Sequence, residues 1–305
     1  MTSATARVPA KINLCLGVGP VRGDGFHSLA TVYQALDVHD EVRATLLEDT
    51  DAIEVSVHVE SSAESGDIPE GPENLAARAA HLLRDAMGIE DGVRLAVRKV
   101  IPVAGGMAGG SADAAAALVA CNAIWATGLS RDELGELAAE IGSDVPFLLH
   151  GGTAIGAGRG ENISPILGRG GYYWTIAVAD RGLSTPAVFA EFDRLNAGRD
   201  IEQPSVPEEL LAALRAGNPE VLGDALSNDL TEAALSLRPE LRDVLAVGVG
   251  AGALGSLISG SGPTCLFLAH DESHRLDLAM ALASAGVCAD VIQARGPVPG
   301  AHLVT

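Results

Sequence analysis

Residues 101–113, Ile-Pro-Val-Ala-Gly-Gly-Met-Ala-Gly-Gly-Ser-Ala-Asp, constrain this chain more than any other stretch. They follow VRLAVRKV (93–100), whose alternation predicts a strand, and lead into ADAAAALVACNAIWA (112–126), an alanine-rich run that predicts a helix. Four glycines between strand and helix let backbone N–H groups turn inward together and approach a ligand closely. Ser111 is expected at the helix N-cap, where orphan N–H groups and the helix dipole favour an anion. These features predict a phosphate cradle. A flexible connector ending in an ordinary serine cap would use the same residues.

Other phosphate-binding patterns do not fit. A G-x-x-x-x-G-K-[ST] loop needs a lysine after glycine, and neither lysine here follows one. H-R-D and D-F-G are absent. Gly250-Ala-Gly-Ala-Leu-Gly255 matches G-x-G-x-x-G formally, but a helix-like segment precedes it and a strand-like one follows, the reverse of a dinucleotide site.

Forty acidic against 20 basic residues in 305 give a net charge of −20. That balance argues against nucleic-acid or anionic-membrane binding, which need basic surface. A local cationic pocket for a small anion remains compatible with it, because surface fields are screened over about 8 Å at physiological salt. Eighteen of the 20 bases are Arg; the two lysines are Lys11 and Lys99. Residues 244–270 carry no Asp, Glu, Lys or Arg, yet glycines, serines and a proline interrupt them repeatedly, which predicts a helix end, turns and buried strands rather than a membrane span. Four scattered cysteines without C-x-x-C suit a reducing compartment, and residues 1–14 lack the apolar core of a signal peptide. A cytoplasmic protein is expected.

Strands are predicted through residues 5–60, around a loop at GPVRGDGFH. A polar loop covers 61–73, and Asn74 is placed to cap a helix over 75–87 that Gly88 ends. Ser130 and Glu133 form a capping box for a helix over 131–141; Ser205 and Glu208 suggest a second one before LLAALRA. A boundary falls in the glycine-rich 165–171, dividing the chain into 1–165 and 166–305. Strands and helices in both parts argue for α+β.

Three further segments stand out. Pro9-Ala-Lys11-Ile-Asn13-Leu puts Lys11 and Asn13 on one face of a strand. Gly142-Ser-Asp144-Val-Pro places an acid just past a helix, and Ser259-Gly-Ser-Gly-Pro-Thr264 is a second glycine-serine loop. Singly, these also read as a solvated strand lysine, a helix cap and a tight turn. Together and in this order with the central loop, they resemble the GHMP kinase superfamily over essentially the whole chain. Arg22-Gly-Asp-Gly-Phe26-His27 and Gly-Ala-Gly-Arg-Gly-Glu (156–161) narrow the resemblance to the branch that uses ATP to phosphorylate the 2-hydroxyl of 4-diphosphocytidyl-2-C-methyl-D-erythritol in non-mevalonate isoprenoid synthesis.

The resemblance implies an N-terminal ribosomal-protein-S5-like ATP-binding domain and a C-terminal ferredoxin-like domain contributing to the substrate site. Asp144 would be the catalytic acid/base and Lys11 the charge-stabilising group. Pro102, Val103, Ala104, Gly105, Gly106, Met107, Ala108, Gly109, Gly110, Ser111 and Ala112 would hold the ATP phosphates. Asn13 and His27 would contact the cytidylated methylerythritol, with Phe26 and Phe189 on either side of the cytosine. Phe26 stands where the family often has Tyr, keeping a stacking ring without its hydroxyl. Phosphoryl transfer needs positioning, charge neutralisation and a proton acceptor, and these residues supply all three. Mg²⁺ is expected with ATP. No acidic pair with ligand spacing identifies its ligands, and His270 and His274 are expected as a surface pair. No protein partner is implied. Lys99, outside the acceptor motifs, is expected to matter far less than Lys11.

Overall fold

A computed structural model describes residues 2–60, 68–103 and 105–304. The expected loop at 61–73 is thus described from residue 68 onward, and Ala104 lies outside the described residues. The elements run β1 (Ser3–Val21), β2 (His27–Leu47), β3 (Ile53–Val59), α1 (Leu75–Met87), β4 (Gly92–Lys99), α2 (Gly109–Ile124), α3 (Arg131–Ile141), α4 (Val145–His150), β5 (Thr153–Gly158), β6 (Asn162–Pro165) and β7 (Tyr172–Val178). They continue through α5 (Thr185–Leu195), α6 (Glu208–Ala216), α7 (Pro219–Asp224), β8 (Ser227–Asn228), α8 (Thr231–Leu237), α9 (Leu241–Gly250), β9 (Gly255–Ile258), β10 (Cys265–Ala269), α10 (Glu272–Ala285), β11 (Asp290–Gly296) and β12 (His302–Val304).

Two sheets organise the chain. The first runs β12-β1-β2-β4-β3, with β5 and β6 continuing from one half of β2 and β8 joining β1. The second runs β11-β7-β10-β9, an all-antiparallel sheet in ferredoxin-like order. The expected α+β architecture, with its two kinds of sheet, is the one observed.

β1 and β2 pair antiparallel along nearly their whole length, with register shifts at Pro9/Ala10, Asn13/Cys15 and Val18/Val21. Bulges re-aim side chains locally, and Lys11 and Asn13 lie in the regular stretch between the first two shifts. Alternation along β4 buries Val93, Leu95 and Val97 under α1 and α2, and α2 buries alanines on nearly every side. Small side chains let that helix sit deep in the layer, which suits a helix whose first turn must reach the interior.

Several local expectations hold. The Asn74 side chain accepts from the Ala76 N–H, and Gly88 closes α1 in the left-handed conformation. The Ser130/Glu133 capping box forms. Two do not. α2 begins at Gly109, so Ser111 sits inside its first turn and the N-cap is Ala108. α6 begins directly after Pro207, which makes Glu208 the first helical residue, too early to reach back to Ser205 as a box requires.

Candidate active site

The glycine loop is set by a buried charge cluster. As β4 ends, the Val100 and Ile101 N–H groups donate to Asp40 Oδ1 at 2.6 and 2.8 Å. Lys99 Nζ donates to Asp40 Oδ2 at 2.6 Å, to Asp113 Oδ2 at 2.7 Å and to the Gly109 carbonyl at 3.2 Å. One ammonium thus ties β2, β4 and the start of α2 together. Lys99 is 2% exposed, so its loss would strand the buried Asp40 carboxylate and take a partner from Asp113. Lys99 thus anchors the loop from beneath, a structural part distinct from that of Lys11 in the cleft. Burial pushes the Asp113 carboxyl up to about 8, with Asp40 adding to the shift and Lys99 opposing it.

Beyond the cluster the chain bends back at Gly106 (φ +76°) and Ala108 (φ +59°). A Cβ on Gly106 would lie 2.2 Å from the Ser259 carbonyl oxygen, so only glycine fits there. Met107 is buried and its carbonyl accepts the Lys11 N–H at 3.3 Å, fastening the loop to β1. The second glycine-serine loop meets the first: Ser259 Oγ donates to the Gly106 carbonyl at 3.0 Å, and Ser261 Oγ pairs with Thr185 Oγ1 at 2.8 Å.

Between the loops and β1 lies a cleft of about 940 Å³. Of the residues expected to hold phosphates, Gly105, Gly106, Ala108, Gly109, Gly110 and Ser111 line it. Pro102, Val103, Met107 and Ala112 lie behind that wall, with Pro102, Met107 and Ala112 buried. The N-terminus of the sixteen-residue α2 opens on this wall, where unsatisfied N–H groups and the dipole suit an anion.

Lys11, Asn13, Phe26, His27, Asp144 and Phe189 all line the same cleft. Lys11 Nζ stands 3.6 Å from Asp144 Oδ2 and donates to Asn13 Oδ1 at 2.8 Å. Asn13 Nδ2 in turn donates to Thr31 Oγ1 at 2.7 Å, and that hydroxyl to the Cys15 carbonyl at 2.6 Å. This chain of donors fixes the amide and presents the ammonium beside the acid. Asp144 reaches the cleft because Gly142 ends α3 and α4 starts after it; no helix N–H claims its side chain.

Tyr33 was not singled out in the sequence. Its ring packs on Phe147 at 4.9 Å, Lys11 Nζ lies 5.3 Å from its centroid, and its hydroxyl interacts with the Asp144 carboxylate. Burial, then the Asp144 charge, holds its pKa well above the ordinary phenol value. It therefore stays protonated, a neutral phenol beside the carboxylate.

At the other end, His27 Nδ1 meets the Gly19 carbonyl at 2.7 Å, which can only accept, so this nitrogen carries the proton. Nε2 points to Asp193 at 3.3 Å. Phe189 stacks on the imidazole at 5.2 Å, and Phe192 meets it edge-on at 5.8 Å. Phe26 is 54% exposed, and Arg159 lies over its ring at 5.1 Å. The His27–Phe189 stack joins into one unit two rings that the sequence assigns separately to the base.

Among the described residues no cluster of three or more His, Cys, Asp or Glu could hold a metal by itself, and none forms a helix able to cross a membrane. His274 accepts the His270 N–H, as a surface pair at a helix start does.

Residues 74–152 match the family described as GHMP kinases N terminal domain, and residues 210–288 that described as GHMP kinases C terminal. The 4-diphosphocytidyl-2-C-methyl-D-erythritol kinase of Thermobifida fusca is 54% identical over 306 residues, covering 99% of each chain. The protein of the same name from Salinispora tropica is 52% identical, covering 97% of this chain and 93% of its own. Among solved structures, a crystal structure of 4-(cytidine 5'-diphospho)-2C-methyl-D-erythritol kinase superposes with a TM-score of 0.74 at 32% identity, covering 95% of this chain and 98% of that one. A homoserine kinase from Cytophaga hutchinsonii gives 0.76 at 20% identity, covering 100% and 98%, a likeness of fold.

Proposed function

Because the chain belongs to the 4-diphosphocytidyl-2-C-methyl-D-erythritol kinase family of the GHMP kinases, we infer that it transfers the terminal phosphoryl of ATP to the 2-hydroxyl of that cytidylated polyol. The products are the 2-phosphate and ADP, on the non-mevalonate (methylerythritol phosphate) route to isoprenoid precursors. The donor phosphates rest on the amides of Gly105–Ser111 and the start of α2. Asp144 accepts the proton of the 2-hydroxyl as its oxygen bonds to phosphorus and the bond to ADP breaks. Tyr33 orients that carboxylate. Lys11, beside it, offsets charge on the transferring group, a contribution that is large in a water-poor cleft.

Mg²⁺ is part of this proposal. The ion usually takes most of its ligands from phosphates and water, so a cleft without an acidic cluster among the described residues suits it. The Ser111 hydroxyl, in the cleft wall, would hold it with the phosphates, and the ion would neutralise charge on them. For the acceptor, Phe26 and Phe189 flank the cytosine, His27 reads its edge and Asn13 lies toward the polyol. The four cysteines are free, with burial pushing Cys15 and Cys265 up to about 12; this supports placing the enzyme in the cytoplasm. The reading requires no protein partner.

The single observation that carries the assignment is the Lys11–Asp144 pair, 3.6 Å apart, in the same cleft as the glycine loop. Measuring ADP release with the cytidylated acceptor, with homoserine and with no acceptor tests it. Turnover with homoserine and none with the cytidylated polyol would overturn the acceptor assignment.

A further inference from the structure

The turn between β5 and β6 carries Arg159 to the rim of the cleft, and the residue lines it. Its side chain is only 34% exposed, so packing holds it rather than solvent. The neighbouring Glu161 holds it only by a loose ion pair. Its Oε2 accepts the Arg159 backbone N–H at 2.6 Å, and its Oε1 stands 3.7 Å from the guanidinium Nε, beyond hydrogen-bond reach. Among the described residues the guanidinium donates no hydrogen bond. A planar fork of N–H donors, the group best suited to phosphate oxygens, is therefore held beside the substrate site by one loose ion pair, with its hydrogen bonds unmade.

Charge says what it would meet. The cleft lining holds two permanent cations, Lys11 and Arg159, and two acids, Asp144 and Asp193. Lys11 already lies against Asp144 at the reacting end. An acceptor with a diphosphate between nucleoside and polyol brings two further negative charges into a chain of net charge −20. Leaving them without a counter-charge on entering the cleft is costly. Arg159 sits over Phe26, so one ring face is covered and the other is left for the base. Arg159 and Phe26 line one cleft, so a group attached to a base on that ring passes through space the guanidinium also borders.

We propose that Arg159 binds the diphosphate of the acceptor and makes the site select a cytidine diphosphate over the bare nucleoside. The proposal rests on the cytidylated-acceptor reading above. In it, Arg159 stacks on Phe26 by its face and offers its N–H edge to phosphate oxygens, so ring and anion are recognised by one unit.

The test is competition against the acceptor at saturating ATP, with cytidine and CDP as inhibitors, in wild type, Arg159→Ala and Arg159→Lys. The expected result is that Arg159→Ala weakens CDP by about 10- to 100-fold, the range for losing charge-assisted hydrogen bonds, and leaves cytidine within about two- to threefold. Arg159→Lys, keeping the charge without the planar fork, should restore part of the CDP preference. A melting curve on each variant confirms that it is folded. Equal weakening of cytidine and CDP would show that Arg159 merely props Phe26 and would overturn the proposal. So would a rise in the KM for ATP with CDP unchanged, which would place the residue on the donor side. If neither compound competes in wild type, the cytidine site itself falls, and this proposal with it.

Discussion

Lysine occurs twice in this chain, and the two ammonium groups differ in kind. Lys11 looks into the cleft beside Asp144; Lys99 is buried between Asp40 and Asp113. Asp144→Asn should keep nucleotide binding and lose turnover by on the order of 10²–10⁴-fold, the usual cost of a general base; single-turnover kinetics with an ADP titration checks both halves. Lys99→Ala should instead destabilise the fold by about 3–5 kcal/mol, since it leaves the Asp40 carboxylate buried without its partner, and denaturant unfolding reads this directly. The sequence marked Lys11 and Asp144 because each sits in a short local pattern. Asp40, 59 residues before Lys99, and Tyr33, far from Asp144 along the chain, carry no local mark; only the fold brings them together. Asp113 gives this cluster a pH dependence. In the unfolded chain it titrates near 4, in the folded protein at about 8. Between those values the native state holds a proton that the unfolded state has lost. Stabilisation from this site is therefore complete below about pH 4 and declines as pH rises towards 8, by at most about 1.4 kcal/mol per unit. Asp113→Asn cannot ionise, so stability measured from pH 5 to 8.5 should be flatter in that variant than in wild type.

At the scale of elements, the strand–loop–helix unit was readable because its glycines, its alanine run and the preceding alternation all agree. The register of its helix was not. Serine is a good cap, and nothing in the sequence says that Ala108 adopts the left-handed conformation and starts α2 three residues ahead of the expected point. The failed box at Ser205 has a comparable cause, since Pro207 starts α6 immediately after itself. The Gly106 bend joins loops from both parts of the chain, and it has no room for a methyl group. Gly106→Ala should push the two loops apart and raise the KM for ATP by an order of magnitude or so, with a much smaller change in the KM for the acceptor. Initial-rate kinetics with each substrate varied in turn distinguishes this from a general loss of fold, which would move both.

Across the whole molecule, the two sheets share one hydrophobic core. Trp174 and Leu266 of the second sheet pack in the same cluster as Val42 and Leu95 of the first, and Trp174 Nε1 donates to Gln34 Oε1 at 3.0 Å. β8 and β12, both from the second part of the chain, complete the first sheet on β1. A fragment ending at residue 165 would lack both strands and Trp174, so it should show no cooperative thermal transition, whereas the full chain melts with one. The position of β12 also bears on how the protein comes into being on the ribosome. Thr5–Arg7, just ahead of the lysine strand's reactive stretch, are made long before their partners at 302–304. At ordinary elongation speeds that leaves one flank of β1 without its neighbour for roughly 15–60 s. A nascent chain carries open hydrogen-bonding groups along that flank throughout, the kind of edge to which other chains can add. Completing the sheet waits for residues 302–304 to clear the exit tunnel.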